Sequence, residues 1–205
     1  MVRKSKEDAE LTRERIINSA REVFLSKGVS RTTLEQIACH AGVTRGAVYW
    51  HFTNKSELFH AMRERVILPL IDRMDETFLE NGSEDPLTAI ENFLCGTIEL
   101  LSENKETREI YEIMMIKCEY VDDFTQVLQQ IILNCSRIIE KIRISYEKAQ
   151  ELGLLRKSAS PDALAYDTHL FFSGLLHMWV KDAEGMQFRE NPKELIQSHI
   201  NLRRN

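Results

Sequence analysis

The sequence predicts an all-α protein with a small N-terminal helical head and a larger helical body. Apolar residues recur at spacings of three and four along nearly the whole chain, and strand-like alternation is absent. Only 8 Gly and 4 Pro punctuate 205 residues that are 43% hydrophobic and 29% charged, a composition in which long helices need few turn residues. The net charge of −5 is divided unevenly: residues 1–55 carry ten Lys or Arg against six acids, and the rest of the chain 17 against 26. A basic head on an acidic body can meet a polyanion with one end only.

The first helix is expected over Glu10 to Lys27, with Ile16, Ile17, Ala20, Val23 and Phe24 on one face and Gly28 as a left-handed terminator. Two short helices follow, near Thr33 to His40 and Thr44 to Phe52, and then a long one from Asn54 to about Glu80 that opens with a capping box, Asn54 with Glu57. After a break at Asn81 to Pro86 come stretches near Leu87 to Ser102, Thr107 to Tyr120, Asp122 to Leu152 and Pro161 to Asp182. Gly153 and Ser158 to Ser160 punctuate the longer pair. The last helix opens at Asn191, with Pro192 in its first turn and Glu194 completing a second capping box by sequence.

Cys39, Cys95, Cys118 and Cys135 have no CxxC spacing and follow no signal peptide. They read as reduced, buried small side chains, with redox sensing as the alternative, and support neither a zinc site nor a secreted disulfide framework. Asp167, His169 and Lys181 interrupt the longest apolar stretches before the roughly 20 residues a membrane span needs. A soluble, cytoplasmic protein is expected.

The most specific pattern lies between Thr33 and Phe52. Ala38 allows close helix approach, Gly42 permits a positive φ in the turn, and Val48 fills a small core with Leu34, Ile37 and Val43, which is the spacing of a helix-turn-helix. Other helical hairpins share that spacing, so the outward face matters more. Thr44 is a natural N-cap, and Arg45, Gly46 and Ala47 make a first turn slim enough for a major groove, with a bidentate donor for a guanine edge. Tyr49, Trp50 and His51 add hydroxyl, indole and imidazole groups; for Tyr49 and Trp50, simple packing against neighbouring helices is the alternative. Lys55 sits where helix amides and dipole already favour a phosphate and would complete a clamp. Thr32 and Thr33 offer further phosphate contacts, although capping by Thr33 fits equally. The arm Arg3, Lys4 and Lys6 adds non-specific attraction or lies over the minor groove, with a solubilising tail as the alternative.

Residues 10–60, above all the run from Gly42 to Phe52 with Asn54 and Lys55, resemble the DNA-binding head of the TetR family. The opening, Val2 to Arg13, and the segment Lys117, Cys118, Glu119, Tyr120 further resemble the branch of multidrug-efflux repressors typified by AcrR and TtgR, with departures at Ile116 (histidine in relatives) and Tyr120 (phenylalanine). The resemblance implies a DNA-binding domain over residues 1–55 and a ligand-binding and dimerisation domain over 56–205, in which the last two long helices form a four-helix bundle with a second copy. Operator geometry also asks for a dimer, because two recognition helices must meet major grooves about 34 Å apart. Leu164 to Val180 is apolar nearly all round, and Leu195, Ile196, His199, Ile200 and Leu202 offer a second stripe.

Carried over by position, the ligand pocket would be lined by Val66, Ile90, Thr97, Tyr111, Glu112, Met115, Ile138, Ile142, His169, Phe172, Ser173, Leu176 and His177, mostly apolar walls with a few polar groups. Glu112 would pair with a cationic drug or accept from a phenol; a solvent-edge acid is the alternative. His169 and His177 lie two helical turns apart, too far for easy shared metal ligation, and read as structural. No nucleophile, metal cluster or phosphate loop marks an enzyme, and no cofactor is expected. The function implied is a repressor of a palindromic operator, of a multidrug efflux operon or of another metabolic or stress operon, released by a small hydrophobic or aromatic effector.

Overall fold

Helix formers dominate the described chain and helices result. The computed structural model describes residues 2–79, 85–156 and 160–205, with the side chains at 2–5, 68, 72, 73 and 75–79 left out. The side chains of Arg3 and Lys4, and residues 81–84 and 158–159 of the two expected breaks, lie outside the described residues. The elements are α1 (Val2–Lys27), α2 (Leu34–Ala41), α3 (Arg45–His51), α4 (Lys55–Leu79), α5 (Pro86–Glu103), α6 (Lys105–Glu112) continued by a π-helical turn (Ile113–Lys117), a 3₁₀ turn (Asp122–Phe124), α7 (Thr125–Glu151), α8 (Pro161–Lys181) and α9 (Pro192–Asn201). Among the described residues there is no strand, only an isolated bridge between Leu155 and Arg204.

Two compact units result, residues 1–67 with 109–129, and residues 68–108 with 130–205. In the first, Ile16, Ile17, Ala20 and Phe24 of α1 are buried, as are Leu34, Ile37 and Ala38 of α2 and Val48 of α3. Each of the Ile, Leu, Val and Phe side chains among them contributes about 1.5–3 kcal/mol. Val43, expected in this core, is only half-buried. α1 begins at Val2, eight residues before the expected start, because the upstream Lys, Glu and Ala are good helix formers and no breaker stops them. It ends as expected at Gly28, φ 82°, whose amide donates to Phe24 O at 2.8 Å.

The stretch expected as one helix to Tyr120 leaves α-geometry at Ile113, and Cys118 is extended. This exit lets Lys117 O accept from Val29 N at 2.9 Å, while Phe124 and Tyr120 both meet the Phe59 ring edge-on, with centroids 5.3 and 6.4 Å away.

In the second unit α5 and α8 both pack on α9. Asp85 caps α5, accepting from Leu87 N at 3.0 Å, and takes an ion pair from Arg204. The buried Tyr146 hydroxyl meets Thr168 Oγ1 at 2.7 Å, which His199 Nε2 approaches at 3.3 Å while its ring stacks on Phe171 with centroids 3.8 Å apart. Past α8, the Asp182 carboxylate accepts from the amides of Met186, Gln187, Phe188 and Arg189 at 2.7–3.2 Å. That seats Arg189 over the Trp179 ring at 4.4 Å. The expected capping box at Asn191 does not form: Asn191 holds the N-cap position without a side-chain bond, and Pro192 at the first turn removes one amide that would need it. The cysteines are free, but Cys39 is exposed and the other three are half-buried, so the expected full burial is not met.

Candidate nucleic-acid interface and ligand site

The helix-turn-helix is fixed by local chemistry at each joint. Thr33 and Gln36 form a reciprocal capping box on α2, Gln36 N donating to Thr33 Oγ1 at 3.3 Å and Thr33 N to Gln36 Oε1 at 3.1 Å. Gly42 takes φ 63° at the end of α2, and an added Cβ would meet nothing within 4 Å. The backbone angle, rather than space, is what asks for glycine there. Thr44 caps α3 by accepting from Ala47 N at 3.1 Å.

The outer face of α3 is open. Trp50 is 72% and Tyr49 43% exposed, and the Thr44, Arg45 and Gly46 side also faces solvent, with Ala47 and His51 half-buried. Packing against the neighbouring helices therefore does not account for Trp50. The Arg45 guanidinium lies 5.2 Å from the Tyr49 ring centre and 3.0 Å from Glu35 Oε1. Glu35, which sequence reading passed over, is held below the usual carboxylate range first by a backbone hydrogen bond and then by Thr33, with Arg45 adding its charge. Trp50 meets the His51 ring edge-on at 4.5 Å.

Thr32 and Lys55 turn inward. Thr32 is buried and its hydroxyl donates to Gly28 O at 2.7 Å. The half-buried Lys55 ammonium donates to Val29 O at 2.7 Å, Thr32 O at 2.9 Å and, weakly, Ser30 O at 3.4 Å. Burial holds this ammonium below its ordinary value. At the start of α4, Asn54 Oδ1 accepts from Glu57 N at 2.9 Å, while Glu57 reaches back to Thr53 N at 2.7 Å, one residue earlier than the expected box.

The residues named for a ligand pocket divide between the units. Val66, Tyr111, Glu112 and Met115 lie in the first; Ile90, Thr97, Ile138, Ile142, His169, Phe172, Ser173, Leu176 and His177 in the second. In the second, Ile90, Thr97, Ile142, Phe172 and Leu176 are buried, while Ile138, His169, Ser173 and His177 are half-buried. Thr97 spends its hydroxyl on Phe93 O at 2.9 Å, and burial pushes the His169 imidazole down, favouring its neutral form. In the first, Val66 and Tyr111 are buried and Met115 half-buried. Glu112 Oε1 lies 3.7 Å from Lys117 Nζ, so its carboxylate already has a cation. Sequence reading missed Arg63, which is wholly buried on α4 between Phe59, Met62 and Val66. A cation set into an apolar helical face was the signal.

Among the described residues no three His, Cys, Asp or Glu are grouped to hold a metal ion, and no helix is long and apolar enough to cross a membrane.

A model of bacterial regulatory proteins of the tetR family matches residues 16–62, and one of the C-terminal region of MAATS-type transcriptional repressors matches residues 85–204. The chain belongs to the TetR family. This TetR-family regulator is 37% identical over 190 residues to the HTH-type transcriptional regulator TtgR of Pseudomonas putida, covering 88% of this chain and 85% of that one. NalD of Pseudomonas aeruginosa, the secondary repressor of the MexAB-OprM multidrug efflux pump, superposes with a TM-score of 0.85 at 32% identity, over 95% and 96% of the two chains. SmeT of Stenotrophomonas maltophilia, in complex with triclosan, superposes with a TM-score of 0.81 at 30% identity, over 95% and 92%. The family's helix-turn-helix is thus the one seen in α2 and α3.

Proposed function

We propose that the protein is a ligand-released transcriptional repressor of a multidrug efflux operon, acting in the cytoplasm as a homodimer on a palindromic operator and performing no catalysis. The observation that carries this is an α3 whose apolar inner residue, Val48, is buried while Arg45, Tyr49 and Trp50 stand exposed together. A helix presenting an arginine and two aromatic hydrogen-bond donors to solvent at one end of a charge-divided chain is built for a groove.

By function the chain divides at residue 55, with operator contacts in 1–55 and the effector and second copy in 56–205. Arg45 reads a base edge; Thr44, Gly46 and Ala47 bring the α3 amides to the backbone; Tyr49, Trp50 and His51 extend the contact. Thr33, Thr32 and Lys55 hold the turn before α2 in place. Dimerisation is supported by α8, where the exposed Tyr166, Leu170 and Met178 follow one another at helical spacing with Gly174 among them, and by the exposed Leu195 and Leu202 at α9. Relatives that repress efflux pumps and bind triclosan support the effector class, a small hydrophobic or aromatic molecule. Release follows from differential affinity: an effector that prefers one shape of the body lowers the population of the operator-competent form.

Fluorescence anisotropy tests this with the DNA upstream of the protein's own gene, at fixed salt, with and without triclosan and plant phenols. Specific binding reversed by at least one compound is expected. Trp50→Ala is expected to weaken operator binding at least about tenfold with unchanged thermal stability, since the indole packs on little. Indifference of DNA affinity to that substitution refutes the assigned face.

A further inference from the structure

Arg63 is 0% exposed, yet among the described residues its guanidinium has one hydrogen-bond partner: Nη2 donates to Glu64 Oε1 at 2.9 Å, while Nε and Nη1 meet no acceptor there. Glu64 is itself partly exposed and also faces His60 Nε2 at 3.7 Å. A guanidinium carries five N–H donors, and a buried cation whose remaining donors are empty is costly unless an acceptor arrives. Its α4 neighbours Phe59, Met62 and Val66 are buried and apolar, and the His60 ring, one turn back, is directed to Glu64. Tyr120, near enough for the Arg63 charge to act on its phenol, already donates its hydroxyl to Met114 O at 2.8 Å.

Val66, one of the residues proposed for the effector, is one turn beyond Arg63 on the same face. Glu112, the acid singled out for a cationic effector, is taken up by Lys117. On this face of α4, among the described residues, the buried side chain with donors still unfilled is therefore a cation.

We propose that Arg63 makes the effector site selective for an organic anion, a carboxylate on a hydrophobic body, whose oxygens accept from the N–H groups that Glu64 leaves unfilled. The carboxylate supplies the charge-assisted bonds the guanidinium lacks, and the aromatic or aliphatic body lies on the apolar flanks of α4. This deepens the repressor reading and rests on it.

The test uses the full-length protein, calorimetric titration at neutral pH, and a matched pair of probes, naphthoate and the neutral naphthamide. The native protein is expected to bind naphthoate at least about tenfold more tightly than naphthamide. Arg63→Met, which keeps an unbranched apolar stem and removes the charge, is expected to lose that preference by weakening naphthoate alone. Equal affinity for the two probes, preference for the amide, binding of neither, or a preference that survives Arg63→Met overturns the assignment. The comparison on the native protein stands even where the variant folds poorly. Operator binding by the ligand-free protein is the separate readout. Its absence defeats the repressor reading, whereas intact operator binding without a naphthoate preference defeats only the role of Arg63.

Discussion

Replacing Lys55 with Met keeps most of the apolar stem of the side chain and removes the cation that draws the carbonyls of the 29–32 turn together. The bonds to Val29 O at 2.7 Å and Thr32 O at 2.9 Å are charge-assisted and contribute about 1.5–3 kcal/mol each, while the one to Ser30 O at 3.4 Å adds little. The turn is partly open, so water takes over some of the carbonyls' need, and the cost of burying the ammonium is recovered. A net loss of about 2 kcal/mol remains. For a chain of this length that corresponds to a fall in Tm of roughly 4–8 °C, read by calorimetry at fixed protein concentration. Operator affinity should fall as well, because the turn sets the start of α2, but the slope of log affinity against log salt should stay the same. A lost phosphate contact would instead lower that slope by roughly 1. An unchanged Tm together with a slope reduced by about 1 refutes the inward role and returns Lys55 to the DNA.

Thr33→Ala removes the reciprocal bonds with Gln36 and should cost about 1 kcal/mol in urea unfolding, with Thr33→Ser recovering most of it; equal losses for the two variants argue against capping. His199 is held down at about 4 from an ordinary value near 6.5, first by burial and then by the Arg203 charge. The unfolded chain therefore takes up a proton that the folded chain refuses, and stability should fall as pH drops from about 6.5 toward 4 and be unaffected by this group above that window. His199→Gln should flatten that leg in urea midpoints measured at several pH values, and parallel declines in both proteins would assign it elsewhere.

Helix type and order, the Gly28 and Gly42 terminators and the Thr44 cap were legible in the sequence because each rests on neighbours within four residues. Trp50 illustrates the limit: its residue type fitted both a groove contact and a packed core, and only the exposure argues against the core. Lys55 was legible as a polar group near a helix start, but its carbonyl partners lie 23 to 26 residues away in the chain, and no local pattern records that. The same holds for Lys117 O and Val29, whose bond places residues 109–129 in one compact unit with the head. Arg63 had a visible signal, a charge on an apolar helical face, that only burial turned into a question.

The Asp182 carboxylate, with its four consecutive amides, has a dynamic meaning of its own. One anion, held down to about 2 by those hydrogen bonds, is the shared lock on the segment from Met186 to Arg189. Four protons that would ordinarily exchange with solvent one at a time must wait for a single event, the departure of that carboxylate. Arg189 adds a second tie to the same segment, since its guanidinium lies over the Trp179 ring and its Nε donates to Trp179 O at 2.8 Å. The link between α8 and α9 is therefore tied back to α8 at both ends, and its four amides are expected to exchange together rather than one by one.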